Sequence, residues 1–132
     1  MFTLRKPTPE KIRTYLDDRR DQPFSYSAVG ATATENGLKS PPPGFNLDIS
    51  EVDLGKGETV YQRARQAIEQ WQMFPPSMVE LFWPTAPIEE GTTVAVLFRG
   101  YGFWSLNPAR ILYRLDETGK SDRFGFAYGT LP

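Results

Sequence analysis

The sequence predicts an α+β fold in which a curved antiparallel sheet packs against helices on one side. Two patterns favour this class: helical and strand-like stretches follow one another irregularly in the first half of the chain, and strand-like stretches fill the rest. The regular alternation of strand and helix that indicates a doubly wound parallel sheet does not occur. The chain has 132 residues, a length that fits one domain.

The first predicted helix covers about residues 9–20. Thr8 is a suitable N-cap because its side-chain oxygen can accept a hydrogen bond from a free backbone N–H, and Pro9 fits the first helical position. Ile12 and Leu16 are four residues apart and share one face of the helix, which we expect to pack on the sheet.

Three stretches before the second helix have the character of strands. They are the opening residues MFTLRK, Phe24–Val29 and residues 45–54. In the last of these the apolar positions change phase near Ser50-Glu51, which predicts a β-bulge there. Residues 30–44 contain Asn-Gly and three consecutive prolines, and these predict a loop.

The second predicted helix covers about residues 58–74. Gly55-Lys56-Gly57 turns the chain into this helix, and Phe74-Pro75-Pro76 ends it. Its apolar stripe, which we expect to pack on the sheet, consists of Val60, Ala64, Ala67, Ile68 and Trp71.

Four strands are predicted after this helix: Met78–Trp83, Thr92–Arg99, Arg110–Asp116 and Arg123–Tyr128. Asn107-Pro108 marks one connection between them, and Glu117-Thr118-Gly119 marks another. The aromatic and glycine-rich residues 100–104 are expected to extend the preceding strand or to form a bulge in it. Short connections of this kind favour antiparallel neighbours.

Charge and composition exclude several classes of function. The 15 basic and 16 acidic residues are interspersed, which argues against a nucleic-acid-binding surface, and no apolar run approaches the roughly 20 residues of a membrane span. The chain has no cysteine and no histidine. Thiol catalysis, Ser-His-Asp hydrolysis and histidine- or thiolate-ligated metal sites are therefore excluded for this chain, and no cofactor is expected. The lack of cysteine also fits a reducing, cytoplasmic environment.

The aromatic residues have two interpretations. The simpler one places them in the core. In the other, a helix set against a curved sheet encloses a cavity, and tyrosine hydroxyls point inward as polar groups for a ligand. The candidate ligand-binding residues are then Tyr26, Trp71, Trp83, Phe98, Arg110, Tyr113 and Tyr128. Strict alternation places Arg110 and Arg114 opposite Tyr113; a structural carboxylate is favoured over an anionic ligand group as the partner of Arg110.

Several short segments, in the same order, resemble the family known as domain of unknown function 1990. They are Ser25-Tyr26, Val29-Gly30, Pro43-Gly44-Phe45, Leu54-Gly55-Lys56-Gly57, Arg63-Ala64, Ala67-Ile68, Trp71, Pro108-Ala109-Arg110-Ile111 and Gly125–Pro132. Each segment alone is weak evidence for the resemblance, but together the segments reach from near the N-terminus to the last residue. The last one, GFAYGTLP, is the most specific.

The resemblance implies a domain longer than this chain. In the family, YGTLP is followed by Gly-His-Pro, further strands and an arginine-rich amphipathic C-terminal helix, so the chain is expected to be an incomplete copy that lacks this helix. The family is also similar to the helix-grip class of plant allergens and lipid-transfer domains, in which a curved sheet wraps around a long helix and a hydrophobic cavity. The resemblance carries no activity with it.

The last predicted strand has two different faces. Phe124, Phe126 and Tyr128 alternate with Gly125, Ala127 and Gly129, so one face is aromatic and the other is small. The small face allows another backbone or a bulky side chain to approach closely. In an incomplete domain this strand is exposed, and we expect a homodimer or an aggregate to form through it; the alternative is a smaller closed core.

These observations favour the binding of a small hydrophobic or amphipathic ligand in a cavity between sheet and helix. Two alternatives stay open: an enzyme of the same fold that uses tyrosine, arginine and carboxylate groups, and a protein-interaction module without a small ligand. A ligand retained in a native mass spectrum would favour binding, whereas covalent turnover of a metabolite pool would favour the enzyme.

Overall fold

The computed structural model describes residues 1–33 and 40–132 and confirms an α+β fold. In chain order the elements are β1 (Phe2–Thr3), α1 (Pro9–Arg19), α2 (Glu58–Glu69), β2 (Val79–Phe82), β3 (Thr93–Gly100), β4 (Phe103–Glu117) and β5 (Arg123–Thr130). The five strands form one open, curved antiparallel sheet. In the part of the chain described, neither helix is long and apolar enough to cross a membrane.

The long strand β4 organises the sheet. β3 pairs with it along one edge, and β2 continues the sheet beyond β3. The other edge of β4 is shared, because β1 pairs with residues 104–105 and β5 pairs with residues 109–117. All these pairings are antiparallel, as is usual for consecutive strands joined by short connections; β1 pairs with β4 across most of the length of the chain.

Helix α1 packs on one face of the sheet, as the sequence predicts. Thr8 caps it, since its hydroxyl accepts a hydrogen bond from the Lys11 N–H at 3.3 Å. Ile12 and Leu16 are buried against side chains of β3 and β4. These strand residues, which point to the same face by the alternation of a strand, are Ala95, Leu97 and Leu106.

A second buried cluster covers the opposite face. Its members are Trp71, Ile88, Val94, Ala109 and Ile111, with Phe126 packed against them. Helix α2 contacts this face, since the guanidinium of Arg65 lies 4.5 Å from the centre of the Phe124 ring. The two helices therefore contact opposite faces, whereas the sequence predicts both on one side. The reason lies in β3: the neighbours Val94 and Ala95 point to opposite faces and both are buried, so each face needs a cover.

Helix α2 ends at Glu69, five residues before its predicted end. A Schellman motif closes it: the Trp71 N–H donates to the carbonyl of Ile68 at 3.0 Å, and the Gln72 N–H donates to that of Ala67 at 2.8 Å. Trp71 adopts the left-handed backbone of this motif, with φ +57°, where glycine is usual. The predicted stripe is consequently divided: Val60, Ala64, Ala67 and Ile68 are half-buried on the helix, and Trp71 is buried beyond its end.

The predicted strand at residues 24–29 does not form. This segment crosses one face of β5 instead of pairing along a strand. A single backbone hydrogen bond, from the Ser25 N–H to the carbonyl of Thr130 at 2.9 Å, fixes it to the end of β5. The Ser25 hydroxyl adds a contact of 2.6 Å to that of Thr130. Its apolar residues are held by side-chain packing, which does not require strand geometry.

The predicted strand at residues 45–54 is also irregular, so the bulge predicted at Ser50-Glu51 is wrong. Apolar side chains of this segment, among them Ile49 and Val52, are exposed. No strand within the described residues pairs with the segment, and an alternating pattern without a partner cannot form a stable strand. Of the predicted loop at 30–44, residues 34–39 lie outside the described residues.

The connection predicted at Asn107-Pro108 is wrong, because both residues lie inside β4. The chain reverses earlier, at Tyr101-Gly102. Pro108 is tolerated inside the strand because its carbonyl accepts from the Leu131 N–H at 3.0 Å, so its nitrogen faces the same edge and no bond to β3 is lost. The turn predicted at Glu117-Thr118-Gly119 is confirmed, since the residues after Glu117 lead into β5.

Candidate functional site

A cleft opens between α1 and the segment that joins β2 to β3. Its volume is about 400 Å³, which lies in the range of small-molecule sites. One wall consists of Arg13, Leu16 and Asp17 of helix α1 and of Arg20, the residue that caps its C-terminus; the facing wall consists of Trp83, Thr85, Ala86, Pro87, Thr92 and Thr93. This space is termed the α1 cleft.

Helical geometry assembles one wall of the α1 cleft. Arg13, Asp17 and Arg20 follow one another at intervals of four and three residues, so their side chains lie on one face of α1. Leu16 is buried against the sheet behind them. Asp17 and Arg20 form an exposed salt bridge of 2.7 Å. The wall therefore has an apolar base and a charged rim.

Trp83 supplies an apolar surface opposite this rim. The guanidinium carbon of Arg13 lies 5.3 Å from the centre of the Trp83 ring, which is a cation–π distance. Arg13 forms no salt bridge with any of the described residues. Since Asp17 is the one carboxylate among the lining residues, the rim has an excess of positive charge.

The groups of the α1 cleft suit binding better than catalysis. Both arginines can only donate hydrogen bonds, and the carboxylate of Asp17 is already paired with Arg20. The three threonine hydroxyls, at positions 85, 92 and 93, can donate or accept. Within residues 1–33 and 40–132, no group of three or more acidic, histidine or cysteine side chains is arranged to hold a metal ion.

The seven predicted site residues are divided between the two faces of the sheet. Trp83, Tyr26, Arg110 and Tyr113 lie on the face of α1, and Trp71, Phe98 and Tyr128 lie on the opposite face. Trp83, Trp71 and Tyr26 each line a different cleft. The structure thus does not bring the seven residues together in one cavity.

Arg110 has a structural environment at the end of α1. Its guanidinium donates to the backbone carbonyls of Arg20 at 2.8 Å and Gln22 at 3.0 Å, and it lies 4.4 Å from the centre of the Phe24 ring. Carbonyls just beyond a helix have no partner within the helix and carry partial negative charge, so a guanidinium there both satisfies and stabilises them. The partners of Arg110 are therefore carbonyl oxygens, where the sequence predicts a carboxylate.

Tyr26 and Tyr113 lie near Arg110 on the same face. Tyr26 lines a cleft of about 150 Å³, which is below the usual size of a ligand site. Burial raises the pKa of the Tyr26 hydroxyl above its ordinary value of 10.0. The Tyr113 hydroxyl is 2.8 Å from that of Thr32, so it has a partner within the protein.

A β-bulge in β4 decides which side chains share a face. The register of β4 and β5 shifts between Ile111 and Tyr113, and the extra residue reverses the alternation. Arg110 and Tyr113 consequently point to the same face, and Arg114 points to the other. The prediction that both arginines lie opposite Tyr113 is wrong, because it assumes an unbroken strand.

Trp71 anchors the face opposite α1. It is 5% exposed, its indole N–H donates to the carbonyl of Ala86 at 2.8 Å, and its ring meets that of Phe126 edge-on at 5.1 Å between centroids. A second cleft of about 400 Å³ lies beside it. The lining of this cleft contains no charged side chain, so it offers no anchor for a charged ligand group.

Sequence reasoning missed Arg13, Asp17 and Arg20 as site residues. Their helical spacing beside the buried Leu16 was the available signal. Charged residues on the outer face of a helix are usually solvated, so this spacing alone does not distinguish a cleft wall from an ordinary surface. Only the position of Trp83 opposite α1 identifies these residues as a cleft wall, and that position depends on the tertiary fold.

The chain is similar to several known proteins. A family model described as domain of unknown function (DUF1990) matches residues 25–132. A UPF0548 protein of Dictyostelium discoideum is 38% identical over 138 residues and 99% of this chain. UPF0548 proteins of Deinococcus radiodurans and Arabidopsis thaliana are 33% and 27% identical, over 100% and 67% of this chain. No solved structure matches it significantly.

The chain spans only part of these relatives. The matched region covers 64% of the Dictyostelium protein, which is less than two thirds, 68% of the Deinococcus protein and 44% of the Arabidopsis protein. Within this chain the family match extends from the segment that crosses β5, through α2, to the end of the sheet. Because the match covers most of the chain, and two relatives are more than 30% identical along nearly all of it, the chain belongs to the DUF1990 family.

Proposed function

We propose that this chain binds a small amphipathic ligand, with a flat apolar part and an anionic group, in the α1 cleft. The observation that carries the proposal is the cation–π contact between Arg13 and Trp83 at the rim of a cleft of about 400 Å³. This arrangement presents an apolar ring and a guanidinium side by side, which is the pair of groups that such a ligand needs.

The apolar part of the ligand would occupy the space between Trp83, Ala86 and Pro87. Aromatic and aliphatic side chains supply most of the lining of small-molecule sites, and a few polar groups fix the orientation. Leu16 closes the base of the cleft, and its burial keeps water from that side. Trp83 is half-buried, so part of its ring is accessible to a ligand.

The anionic group would meet Arg13 and Arg20. A guanidinium donates two parallel hydrogen bonds to a carboxylate, sulfonate or phosphate, and such charge-assisted bonds are stronger than neutral ones. Asp17 holds Arg20 at 2.7 Å and so limits its freedom before a ligand arrives. We expect Arg13 to contribute more than Arg20 to the binding of the anionic group, since its charge is not neutralised by a salt bridge within the described residues.

The two alternative functions find less support in the geometry. An enzyme would need a titratable group poised beside the ligand, and the carboxylate at the α1 cleft is committed to a salt bridge. The α1 cleft itself does not suit an interaction module, because such a module favours a flat or protruding apolar surface and this cleft is concave with a mixed lining.

The test compares two fluorescent probes of similar shape. Anilinonaphthalene sulfonate carries an anion, and phenylnaphthylamine does not. The sulfonate should bind more tightly to the wild-type chain, and Arg13→Gln should weaken sulfonate binding about tenfold because a charge-assisted hydrogen bond is lost, while leaving the neutral probe unchanged. Arg63→Gln, which removes an exposed arginine of α2, is the matched control. Equal affinity for both probes, or equal effects of the two substitutions, would refute the proposal.

We also propose that β5 joins two copies of the chain through its outer edge. In the part of the chain described, no strand pairs with this edge, and Tyr128 on its aromatic face is 44% exposed. Unpaired edges and exposed aromatic side chains are association surfaces. Sedimentation velocity over a series of concentrations should show a dimer that Tyr128→Lys weakens. A monomer at all concentrations would exclude it.

A further inference from the structure

The hairpin between β3 and β4 has an unusual residue at its turn. Gly100 pairs with Phe103, so the turn consists of Tyr101 and Gly102 alone. Their φ angles are +52° and +82°. Two-residue turns with positive φ at both positions favour Asn-Gly, because asparagine tolerates the left-handed conformation and a bulky residue does not. Tyrosine at position 101 is therefore unfavourable for the turn itself.

Trp71 shows how such a cost is normally offset. Among the described residues, Trp71 and Tyr101 are the two residues other than glycine that have a positive φ. The side chain of Trp71 is buried and hydrogen-bonded, so its packing compensates for the backbone. Tyr101 is 95% exposed and has no such compensation within the described part of the chain. A residue that breaks a local rule without a local gain points to a function.

Other exposed apolar side chains surround Tyr101. Phe2 is 73% exposed and Leu4 is 86% exposed, at the end of β1 that lies beside the start of β4. The rings of Phe2 and Phe103 meet edge-on at 5.6 Å, and Leu4, Tyr101 and Phe103 line one cleft. Phe2, Leu4, Tyr101 and Phe103 are together termed the apolar tip.

Basic side chains form a collar behind the apolar tip. Lys6 and Arg99 both lie over the ring of Trp104, at 5.6 Å and 5.5 Å from its centre. Arg5, next to Lys6, is exposed. Glu80 contributes the opposing carboxylate, in an exposed salt bridge of 2.8 Å with Lys6. Since Glu80 neutralises Lys6, the charge of Arg99 leaves the collar positive.

We propose that the apolar tip docks on an anionic membrane surface. Aromatic and leucine side chains enter the region between headgroups and acyl chains, and lysine and arginine at their rim meet anionic headgroups. Each basic residue close to such a surface adds to the attraction. The arrangement matches this partner by charge complementarity. The exposed apolar side chains lie at the turn of the β3–β4 hairpin and at the adjoining end of β1, and Lys6 and Arg99 lie at the nearby ring of Trp104.

The apolar tip and the α1 cleft are separate surfaces. Thr93, at the start of β3, lines the α1 cleft, and Gly100, at its other end, leads into the apolar tip. The eight residues of β3 span about 25 Å. Docking through the apolar tip would therefore leave the α1 cleft open, and substitutions at one surface should not disturb the other.

Vesicle co-sedimentation tests the proposal. The wild-type chain should partition onto vesicles of phosphatidylcholine mixed with phosphatidylserine, and much less onto phosphatidylcholine alone. Tyr101→Asn removes the aromatic ring but suits the turn, so the variant should fold and should bind about tenfold more weakly. Arg99→Gln should weaken binding about fivefold, and added salt should weaken wild-type binding. The matched controls are Ile49→Ser, an exposed apolar position elsewhere, and Lys120→Gln, in the connection between β4 and β5.

Three outcomes would overturn the proposal. The first is equal partitioning of the wild-type chain onto neutral and anionic vesicles. The second is a Tyr101→Asn variant that partitions like the wild type while its thermal unfolding shows a folded protein. The third is self-association that Tyr101→Asn abolishes without any partitioning onto vesicles, which would make a second copy of this chain the partner of the apolar tip.

Discussion

Replacing Gly129 by alanine is expected to destabilise the fold. Gly129 is buried in β5, and a Cβ atom there would lie 2.8 Å and 2.9 Å from two ring carbons of Phe24 and closer still to the hydroxyl of Tyr26. Contacts under 3.0 Å are essentially never seen for real Cβ atoms. The side chains of Phe24 and Tyr26, or the segment that carries them, would therefore have to move away from β5.

The structure indicates that this movement is costly. Arg110 lies 4.4 Å from the Phe24 ring and is itself held by two carbonyls beyond α1. Overpacking of a well-packed site costs about 1–3 kcal/mol. For 132 residues, an unfolding entropy of about 2.1 cal/mol/K per residue converts this cost into a fall in Tm of about 4–11 °C.

Gly125→Ala is the matched control, because Gly125 lies on the same face of the same strand with no heavy atom within 4 Å of an added Cβ. This variant should be unchanged or up to about 1 kcal/mol more stable, since alanine restricts the unfolded chain. Thermal unfolding followed by circular dichroism, at several protein concentrations, measures both variants. If they unfold at the same temperature, the packing of residues 24–26 on β5 is refuted.

Two further substitutions test the opposite face of the sheet. Trp71→Ala should cost roughly 3–5 kcal/mol of unfolding free energy in urea denaturation, because a buried, hydrogen-bonded indole is removed; near-wild-type stability would contradict its place in the core. Hydrogen bonds from Arg114 and then Arg65 lower the pKa of Asp116 below its ordinary value of 3.8. Ionised Asp116 therefore stabilises the fold above pH 3.8, and this contribution is lost as the pH falls through the lower pKa of the folded state. Asp116→Asn should lack this acid-dependent loss, and a stability–pH profile identical to that of the wild type would exclude the ion pair.

The elements that the sequence predicts well are those specified by local chemistry. Thr8 and Pro9 mark the start of α1 because capping depends only on neighbouring backbone groups. The strands of the second half are likewise predicted within a few residues, apart from the N-terminal half of β4. There Asn107-Pro108 indicates a turn, but the edge of β4 at Pro108 requires no bond to β3, so the strand continues.

The elements that the sequence predicts wrongly depend on distant partners. Residues 45–54 alternate as a strand does, but no edge of the described sheet is paired with them. Residues 24–29 have a similar composition, and side-chain packing over β5 replaces strand pairing. Composition and periodicity report what a segment can form, and only the rest of the fold decides whether the partner is present.

Prediction of the candidate site from the sequence is limited in the same way, because the neighbours of a side chain also depend on distant parts of the fold. Trp83 is found from its aromatic character, but its neighbours Arg13 and Arg20 come from a helix far away in sequence. The bulge between Ile111 and Tyr113 is equally invisible in the sequence, although it reverses the faces of every residue that follows in β4. A prediction of which side chains share a cavity therefore requires the register as well as the strand assignment.

The small face of β5 shows both what the sequence predicts and what depends on distant partners. Glycine and alanine at alternating positions predict a close approach by a bulky group without identifying it, and the structure places Phe24 and Tyr26 there. The approach also explains why residues 24–26 need no strand pairing. A ring against a bare backbone is held by contact area, and the hydrogen bonds of Ser25 to Thr130 set the position of the segment along β5. Arg110 then links this segment to the end of α1. The fixed end of α1 in turn sets the position of Arg20 at the rim of the α1 cleft. We therefore expect Gly129→Ala to displace Arg20 and to weaken the affinity of the chain for the sulfonate probe.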